Sequence, residues 1–187
     1  FIQNTAQEAG GVFFCDKTGE GNPSCQCTNC VFNQNKALSY GDKYASDIAR
    51  LTRIGDGNID YHEEKMYMTL GNTISNKLEY QVLDNYNQII SSPTYSGLLE
   101  CNIIPITNIT GKISPASITG TTSSVIQRGI IKFDNYGIQG VENSITPIEI
   151  NCIRNEIPGA VSSYQEKKDI TIYSQSCMDG QKTSKIG

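Results

Sequence analysis

The sequence predicts a mainly β protein, namely a disulfide-stapled β-sandwich of about seven to nine short strands. The chain of 187 residues contains 25 Ile and seven Leu, and 18 of the Ile but none of the Leu lie after residue 100. Because β-branched side chains suit a pleated surface and Leu favours helices, this bias indicates strands in the C-terminal half. Turn clusters such as Thr119-Gly120 and Pro158-Gly159 divide that half into short runs. Cysteines spread over the whole length favour covalent stapling.

Residues 1–36 are interpreted as a loop-rich, Cys-rich N-terminal extension. Apolar residues are few, and residues 18–23 are rich in turn formers. Such a segment buries too little apolar surface to fold by itself, so we expect a donor strand that adds to the sheet of a neighbouring subunit. The remaining residues, 37–187, are expected to form a single sandwich domain. No internal repeat is recognised in either part.

A short helix is predicted near residues 40–53. Ser39 and Asp42 have the spacing of a capping box, which marks the start of many helices. Ala45, Ile48 and the apolar residues that follow lie on one face at helical spacing. One short helix therefore precedes the predicted strands.

Strands are predicted from about residue 64 through the rest of the chain. Apolar and polar residues alternate over residues 66–70 and 78–82, and residues 71–76 are expected to join these two strands as a hairpin. The further candidate strands are residues 98–106, 109–113, 124–133, 136–141, 145–153, 160–164 and 169–176.

The cysteines are expected to form disulfides, and because seven is odd, one is left unpaired or bonded to another chain. Four N-terminal thiols could instead hold zinc, but zinc sites usually combine two Cys-x-x-Cys elbows and this region has one. A redox Cys-x-x-Cys usually opens a helix, whereas this one lies in a predicted loop. Parity favours two N-terminal bridges and one later bridge, and the rival is a bridge between the two regions. The cysteines are Cys15, Cys25, Cys27, Cys30, Cys101, Cys152 and Cys177.

Residues 56–64 are rich in oxygen ligands and form a candidate calcium site. The Asp-x-Asn-x-Asp spacing matches the first ligand positions of an EF-hand loop, but Tyr61 stands where that loop needs Gly and Tyr67 where it needs Glu. The hypothesis is therefore a calcium site of another kind, and the alternative is a polar turn. The candidate ligands are Asp56, Asn58, Asp60, Glu63 and Glu64. No other cofactor is expected.

No catalytic residue is predicted. His62 is the only histidine, and it stands beside two glutamates in a polar stretch that is typical of an exposed side chain. Any Ser–His or Cys–His mechanism would have to use it. Asn108 opens the only Asn-x-Ser/Thr sequon, so it is the candidate glycosylation site of a glycoprotein.

The charge and hydropathy of the sequence predict neither a nucleic-acid partner nor a membrane-spanning segment. The formal net charge is −4, from 15 basic and 19 acidic residues, so no basic face for nucleic acid is expected. No apolar run approaches the roughly 18 residues of a membrane helix. Because the chain begins at Phe1 and not at Met, we expect that a signal peptide was removed. Together with the cysteines, this predicts a secreted, extracellular or cell-surface protein.

The main functional hypothesis is an extracellular structural protein, the subunit of a pilus-like filament or other cell-surface assembly. Inter-subunit β-strand addition and disulfides would hold it together, and its partners would be other copies of itself. The alternative is a secreted or surface adhesin, a glycan-binding module that works with calcium. The third hypothesis is a secreted enzyme centred on His62 or on the Cys-x-x-Cys.

Overall fold

The computed structural model describes residues 1–15, 25, 27–54, 64–69, 78–106, 117–140, 143–154 and 165–175. Within these ranges the protein is mainly β, as predicted, and the single helical element is the 3-10 turn Pro93–Tyr95. The described strands are β1 (Thr5–Ala6), β2 (Phe13–Cys15), β3 (Lys36–Ala37), β4 (Tyr44–Ser46), β5 (Ile48–Ile54), β6 (Glu64–Thr69), β7 (Leu78–Asp84), β8 (Leu99–Pro105), β9 (Ser117–Gly120), β10 (Ser123–Val125), β11 (Ile130–Phe133), β12 (Tyr136–Gln139), β13 (Ile145–Arg154) and β14 (Gln165–Gln175).

The larger sheet has five strands in the order β10-β8-β13-β14-β6. Strands β8, β13 and β14 pair antiparallel over long registers, and β6 is added parallel to β14. Along β13 every second side chain is buried, which is the period of a strand with one face on a core. The Ile-rich sequence therefore forms strands because alternate Ile side chains, such as Ile148 and Ile150, leave water together.

The smaller sheet has three strands in the order β11-β7-β5, and a separate hairpin pairs β12 with β9. Buried residues of both sheets belong to one hydrophobic cluster, so the core lies between the two sheets as in a sandwich. Its largest members that are fully buried include Tyr80, Phe133, Leu99 and Ile131. This core fixes the loop between β7 and β8, on which the N-terminal region is seated.

The N-terminal region contains an internal repeat, so the expectation of no repeat is wrong. Residues 1–15, called coil 1, run parallel to residues 32–46, called coil 2. Every pairing has the same offset of 31 residues, as in Thr5 with Lys36 and Phe13 with Tyr44. The isolated bridges of Ile2 and Ala9 keep this offset. Constant parallel offset is the pairing of successive coils in a β-solenoid.

The helix predicted near residues 40–53 is wrong, since this segment forms β4 and β5. The pairing of β5 with β7 contains an irregularity between Ile48 and Arg50, where one extra residue enters β5. Because of this bulge, Ile48 and Leu51 both point into the core although they are three residues apart. A bulged strand thus reproduced the i, i+3 spacing of a helix.

Two smaller predictions about strands also change. The run at residues 124–133 is divided into β10 and β11, which lie in different sheets. The predicted hairpin between residues 66–70 and 78–82 is wrong, because β6 pairs with β14 whereas β7 pairs with β5 and β11. Local alternation indicated these strands correctly but carried no information on their partners. Candidate strands 109–113 and 160–164 lie outside the described residues.

Candidate functional site

The two coils are joined by a ladder of amide side chains. Asn35 Oδ1 accepts hydrogen bonds from the Asn4 backbone N–H and from Asn4 Nδ2, both at 3.0 Å, and Asn35 Nδ2 donates to the Phe1 carbonyl at 3.1 Å. Gln3 Nε2 donates to Gln34 Oε1 at 2.8 Å. Like side chains therefore stack on each other, because residues 31 apart occupy the same place in successive coils.

Aromatic side chains form a second column through the coils. The rings of Phe1 and Phe32 stack at 5.7 Å, and those of Phe13 and Tyr44 stack at 5.7 Å. The column continues into the sandwich, where Tyr86 stacks on Tyr44 at 5.6 Å. Offset stacking of this kind adds to the energy of burial. The coils are therefore seated on the sandwich through a continuous aromatic contact.

Both coils turn a corner at a glycine with positive φ, Gly10 at 67° and Gly41 at 73°. A Cβ built on either glycine would lie 2.3 Å from a carbonyl oxygen three residues further on, that of Phe13 or of Tyr44. Only glycine fits such a corner, because it has no Cβ and tolerates this φ. Equivalent corners with equivalent contacts confirm that the two coils have one backbone design.

The sandwich covers the lower side of coil 2 with the loop between β7 and β8. Asp84, fully buried, accepts hydrogen bonds from the Ser46 N–H at 3.2 Å and the Gln88 N–H at 2.9 Å. Gln88 Nε2 donates to the Tyr44 carbonyl at 2.9 Å, and Ser91 Oγ donates to the Ser39 carbonyl at 2.8 Å. Backbone groups of coil 2 that would otherwise be unpaired are thus satisfied by the sandwich.

A buried ion pair between Arg154 and Asp47 lies where coil 2 meets the sandwich. Arg154 Nη1 contacts Asp47 Oδ2, and the side chains are only 9% and 16% exposed. The guanidinium also lies 5.7 Å from the Tyr95 ring centroid. Burial, followed by the charge of Asp47, raises the pKa of Tyr95 to about 12. Desolvation likewise raises the pKa of Tyr40, whose hydroxyl donates to the Ser46 carbonyl at 2.8 Å.

The upper side of coil 1, called the outer edge, faces away from coil 2. Strands β1 and β2 each belong to a two-stranded sheet, so among the described residues nothing pairs with this edge. Large apolar side chains are exposed here: Phe1 is 51% exposed, Ile2 65% and Phe14 49%. An uncovered strand edge with apolar side chains is a template for pairing with another β segment.

An open groove lies beside coil 2 and the β7–β8 loop. It has a volume of about 560 Å³, and Tyr44 and Tyr86 contribute aromatic surface to it. The Tyr86 hydroxyl is buried and has no hydrogen-bond partner in the described structure. Asp42, Lys43 and Gln88 add polar groups to the lining. Aromatic faces beside hydrogen-bonding groups are suited to a polyhydroxylated ligand.

Disulfides are confirmed, with pairs Cys15–Cys25, Cys27–Cys30 and Cys101–Cys152. This is the distribution that parity favoured. The strand pair does not join the two sheets, however, because Cys101 and Cys152 stand opposite each other on β8 and β13 of one sheet. Several disulfides indicate an oxidising environment. Cys177 lies outside the described residues.

The other candidate residues fall largely outside the described ranges. These are Asp56, Asn58, Asp60, Glu63, His62 and Asn108, while Glu64 begins β6. In the described part of the chain, no three His, Cys, Asp or Glu side chains are grouped to hold a metal ion. The described part also contains no helix with the length and apolar character to cross a bilayer. The calcium and glycosylation sites remain predictions.

The coil stack is the feature that sequence reasoning missed, although a signal was present. Aligning residues 1–15 with residues 32–46 gives identical residues at five positions, in the pattern Phe-x-Gln-Asn-x-Ala-x-x-x-Gly. The signal is weak because only two copies exist in this sequence and Cys15 falls opposite Ser46. A search for periods of 20–50 residues would have found it.

Comparison with known proteins adds no family to this description. No protein family model matches the chain, and no curated protein sequence is significantly similar to it.

Proposed function

We propose that this protein is an extracellular structural protein, a module of a cell-surface assembly that works as a rigid β body. The observation that carries the proposal is the seating of the coils on the disulfide-bonded sandwich. Amide and aromatic ladders, the Asp84 hydrogen bonds and the Asp47–Arg154 pair form one continuous set of contacts. Such contacts favour a fixed position of the coils relative to the sandwich.

The manner of assembly differs from the donor-strand hypothesis. Residues 1–11 already pair with coil 2 of their own chain, so they are not free to complete the sheet of a neighbour. The expected donor segment therefore has no support as a donor. In the present proposal residues 1–11 belong to the rigid body itself, and the surface that contacts other subunits is not assigned to them.

The test uses the native protein in its own cells. Intact cells are labelled with an amine reagent that does not cross membranes, and the extract is fractionated by sedimentation without reductant. The proposal expects surface labelling and recovery in a high-mass fraction. Recovery only from inside the cells, or as a free monomer in the medium, would contradict it. An abundant intracellular protein serves as the control for membrane integrity.

A second candidate function, adhesion by glycan binding, is favoured by the groove at Tyr86. The aromatic surfaces of Tyr44 and Tyr86 offer stacking, and the side chains of Asp42 and Lys43, which are exposed, add polar groups beside them. On an array of glycans, the wild type should bind a defined subset and Tyr86→Ala, which removes the stacking ring, should bind it more weakly. Tyr67→Ala, which removes an exposed ring on β6, is the matched control. Equal binding by wild type and Tyr86→Ala would contradict this function.

A further inference from the structure

The outer edge of coil 1 presents groups that are already covered at the equivalent positions of coil 2. Asn35 is 7% exposed because coil 1 lies on it, whereas Asn4, its equivalent, is exposed. Phe32 is half-buried under the Phe1 ring, and Phe1 itself is exposed. Coil 1 covers one edge of coil 2, whereas no described strand covers the equivalent edge of coil 1.

The missing cover has a defined shape. In coil 2 the cover consists of a parallel strand with an asparagine on the amide ladder, a phenylalanine on the ring column and a glycine at the corner. The same backbone and side-chain types recur on the outer edge of coil 1 at Phe1, Asn4 and Gly10. A segment that fits the edge of coil 2 thus also fits the edge of coil 1.

The outer edge lacks the devices that normally prevent strand pairing. Exposed edges are usually protected by Lys, by Pro or by inward charges. Residues 1–15 contain no Lys, no Arg and no Pro, and their single charged side chain is Glu8. Glu8 is directed to the sandwich, where it accepts a hydrogen bond from Thr94 Oγ1. The sequence of coil 1 therefore favours a covered edge over an exposed one.

The start of coil 1 indicates how the covering segment is connected. The Phe1 nitrogen donates to the Val31 carbonyl at 3.0 Å, and Val31 is the residue that leads into Phe32. The start of coil 1 thus lies directly above the start of coil 2. A peptide joined to Phe1 would therefore begin at this end of the stack, next to the outer edge of coil 1. Connection on the same polypeptide also avoids the entropy cost of binding a separate molecule.

We propose that the outer edge of coil 1 is the docking site of a further parallel β-coil of the same 31-residue repeat, carried on the same polypeptide on the N-terminal side of Phe1. The coil has Phe, Asn and Gly at the positions of Phe1, Asn4 and Gly10. This inference deepens the proposed structural role and rests on it. The coils form a β-solenoid, and the sandwich is its cap, since the β7–β8 loop covers the opposite side.

The test adds a copy of residues 1–31 directly in front of Phe1 and measures amide hydrogen exchange of the purified, oxidised protein. The amides on the outer edge of coil 1, beginning with Thr5, should exchange at least about tenfold more slowly than in the unextended chain. Denaturant unfolding should remain one transition with a steeper denaturant dependence, because more surface is buried. In the matched control, the copy carries Ser at the positions equivalent to Phe1 and Asn4, and the slowing should be lost.

Two results would overturn the proposal. One is a copy that exchanges like unfolded chain and leaves coil 1 unchanged, both with its cysteines and with serines in their place. The other is an unextended protein that forms a stable dimer in light scattering and loses it in Thr5→Pro, which removes a backbone N–H from the outer edge, since a second copy would then cover the edge. Neither result bears on surface labelling of the native protein, so failure of this inference is distinguishable from failure of the proposed function.

Discussion

At the scale of single residues, glycine and asparagine determine how the coils are built. Gly10 and Gly41 occupy corners that a side chain would obstruct, and Asn35 satisfies backbone and side-chain groups of the coil above it. These residues contribute little apolar area. Their importance follows from backbone conformation and from hydrogen bonds that would otherwise be lost on burial.

Replacing Gly41 with Ala should destabilise the protein by about 3 kcal/mol, combining a left-handed φ with a steric clash. The matched control is Gly97→Ala, because Gly97 also has a positive φ, at 78°, but an added Cβ meets nothing within 4 Å. The control should cost only about 1 kcal/mol for the conformation itself. Chemical denaturation of both variants measures the difference. Equal costs would contradict the clash at the Tyr44 carbonyl.

Replacing Asn35 with Ala should lower the free energy of unfolding by about 1–3 kcal/mol, because the Asn4 N–H loses its partner and the Phe1 carbonyl keeps only the Asn33 N–H. Asn33→Ala is the control, since Asn33 is exposed and contributes its backbone to the pairing. It should change stability by less than about 0.5 kcal/mol. Thermal unfolding of the two variants under the same conditions measures the difference. Equal melting temperatures would contradict a contribution of the amide ladder to stability.

At the scale of elements, the place of a strand in a sheet depends on its pairing partner more than on the β-propensity of its own residues. β6 begins at Glu64, the last of the candidate calcium ligands, and adds parallel to β14 at the edge of the larger sheet. An ion held by residues that lead into an edge strand would restrict the start of that strand. Ion binding in this segment would therefore be coupled to the stability of the sheet edge.

Chelation provides the test of the calcium hypothesis. With protein shown beforehand to be metal-replete, removal of calcium should lower the melting temperature, because binding to the folded state alone stabilises it by mass action. Asp56→Ala combined with Asp60→Ala should abolish the response. Asp134→Ala, which removes an exposed carboxylate elsewhere, should keep it. An unchanged melting curve on chelation would refute the site.

At the scale of the whole molecule, buried tyrosines limit stability at high pH. Burial raises the pKa of Tyr95 at the junction and of Tyr136 in the core to about 12, against an ordinary value of 10. In both cases the folded state prefers the neutral phenol. The stability from each group is therefore complete below pH 10 and is lost as the pH rises through about 12.

Alkaline titration should accordingly unfold the protein cooperatively between about pH 10 and pH 12, with about 2–3 kcal/mol lost for each buried tyrosine. Tyrosinate absorbance and circular dichroism should change together. Tyr95→Phe should shift the transition to higher pH, since the ionisable group is removed, whereas Tyr67→Phe should not, because Tyr67 is exposed. Ionisation of Tyr95 without loss of structure would contradict this coupling.

The sequence by itself determined the fold class, most strand positions and the chemistry of the cysteines. These depend on local rules: the two-residue period of β13, the β-branched bias and the parity of the thiols are all visible in one dimension. The candidate site was not among these. The sequence predicts residues 1–36 as a loop-rich, Cys-rich extension whose pairing partner is another molecule.

Only the tertiary structure decided that partner, as well as the separation of β6 from β7 and the conversion of a predicted helix into β4 and β5. The physical reason is that each of these depends on contacts between distant residues. A bulge between Ile48 and Arg50 gives strand residues a helical spacing, and the pairing of Asn4 with Asn35 joins residues that are 31 positions apart in the sequence. Hydrogen bonds of this range satisfy backbone groups whose partners no local pattern specifies.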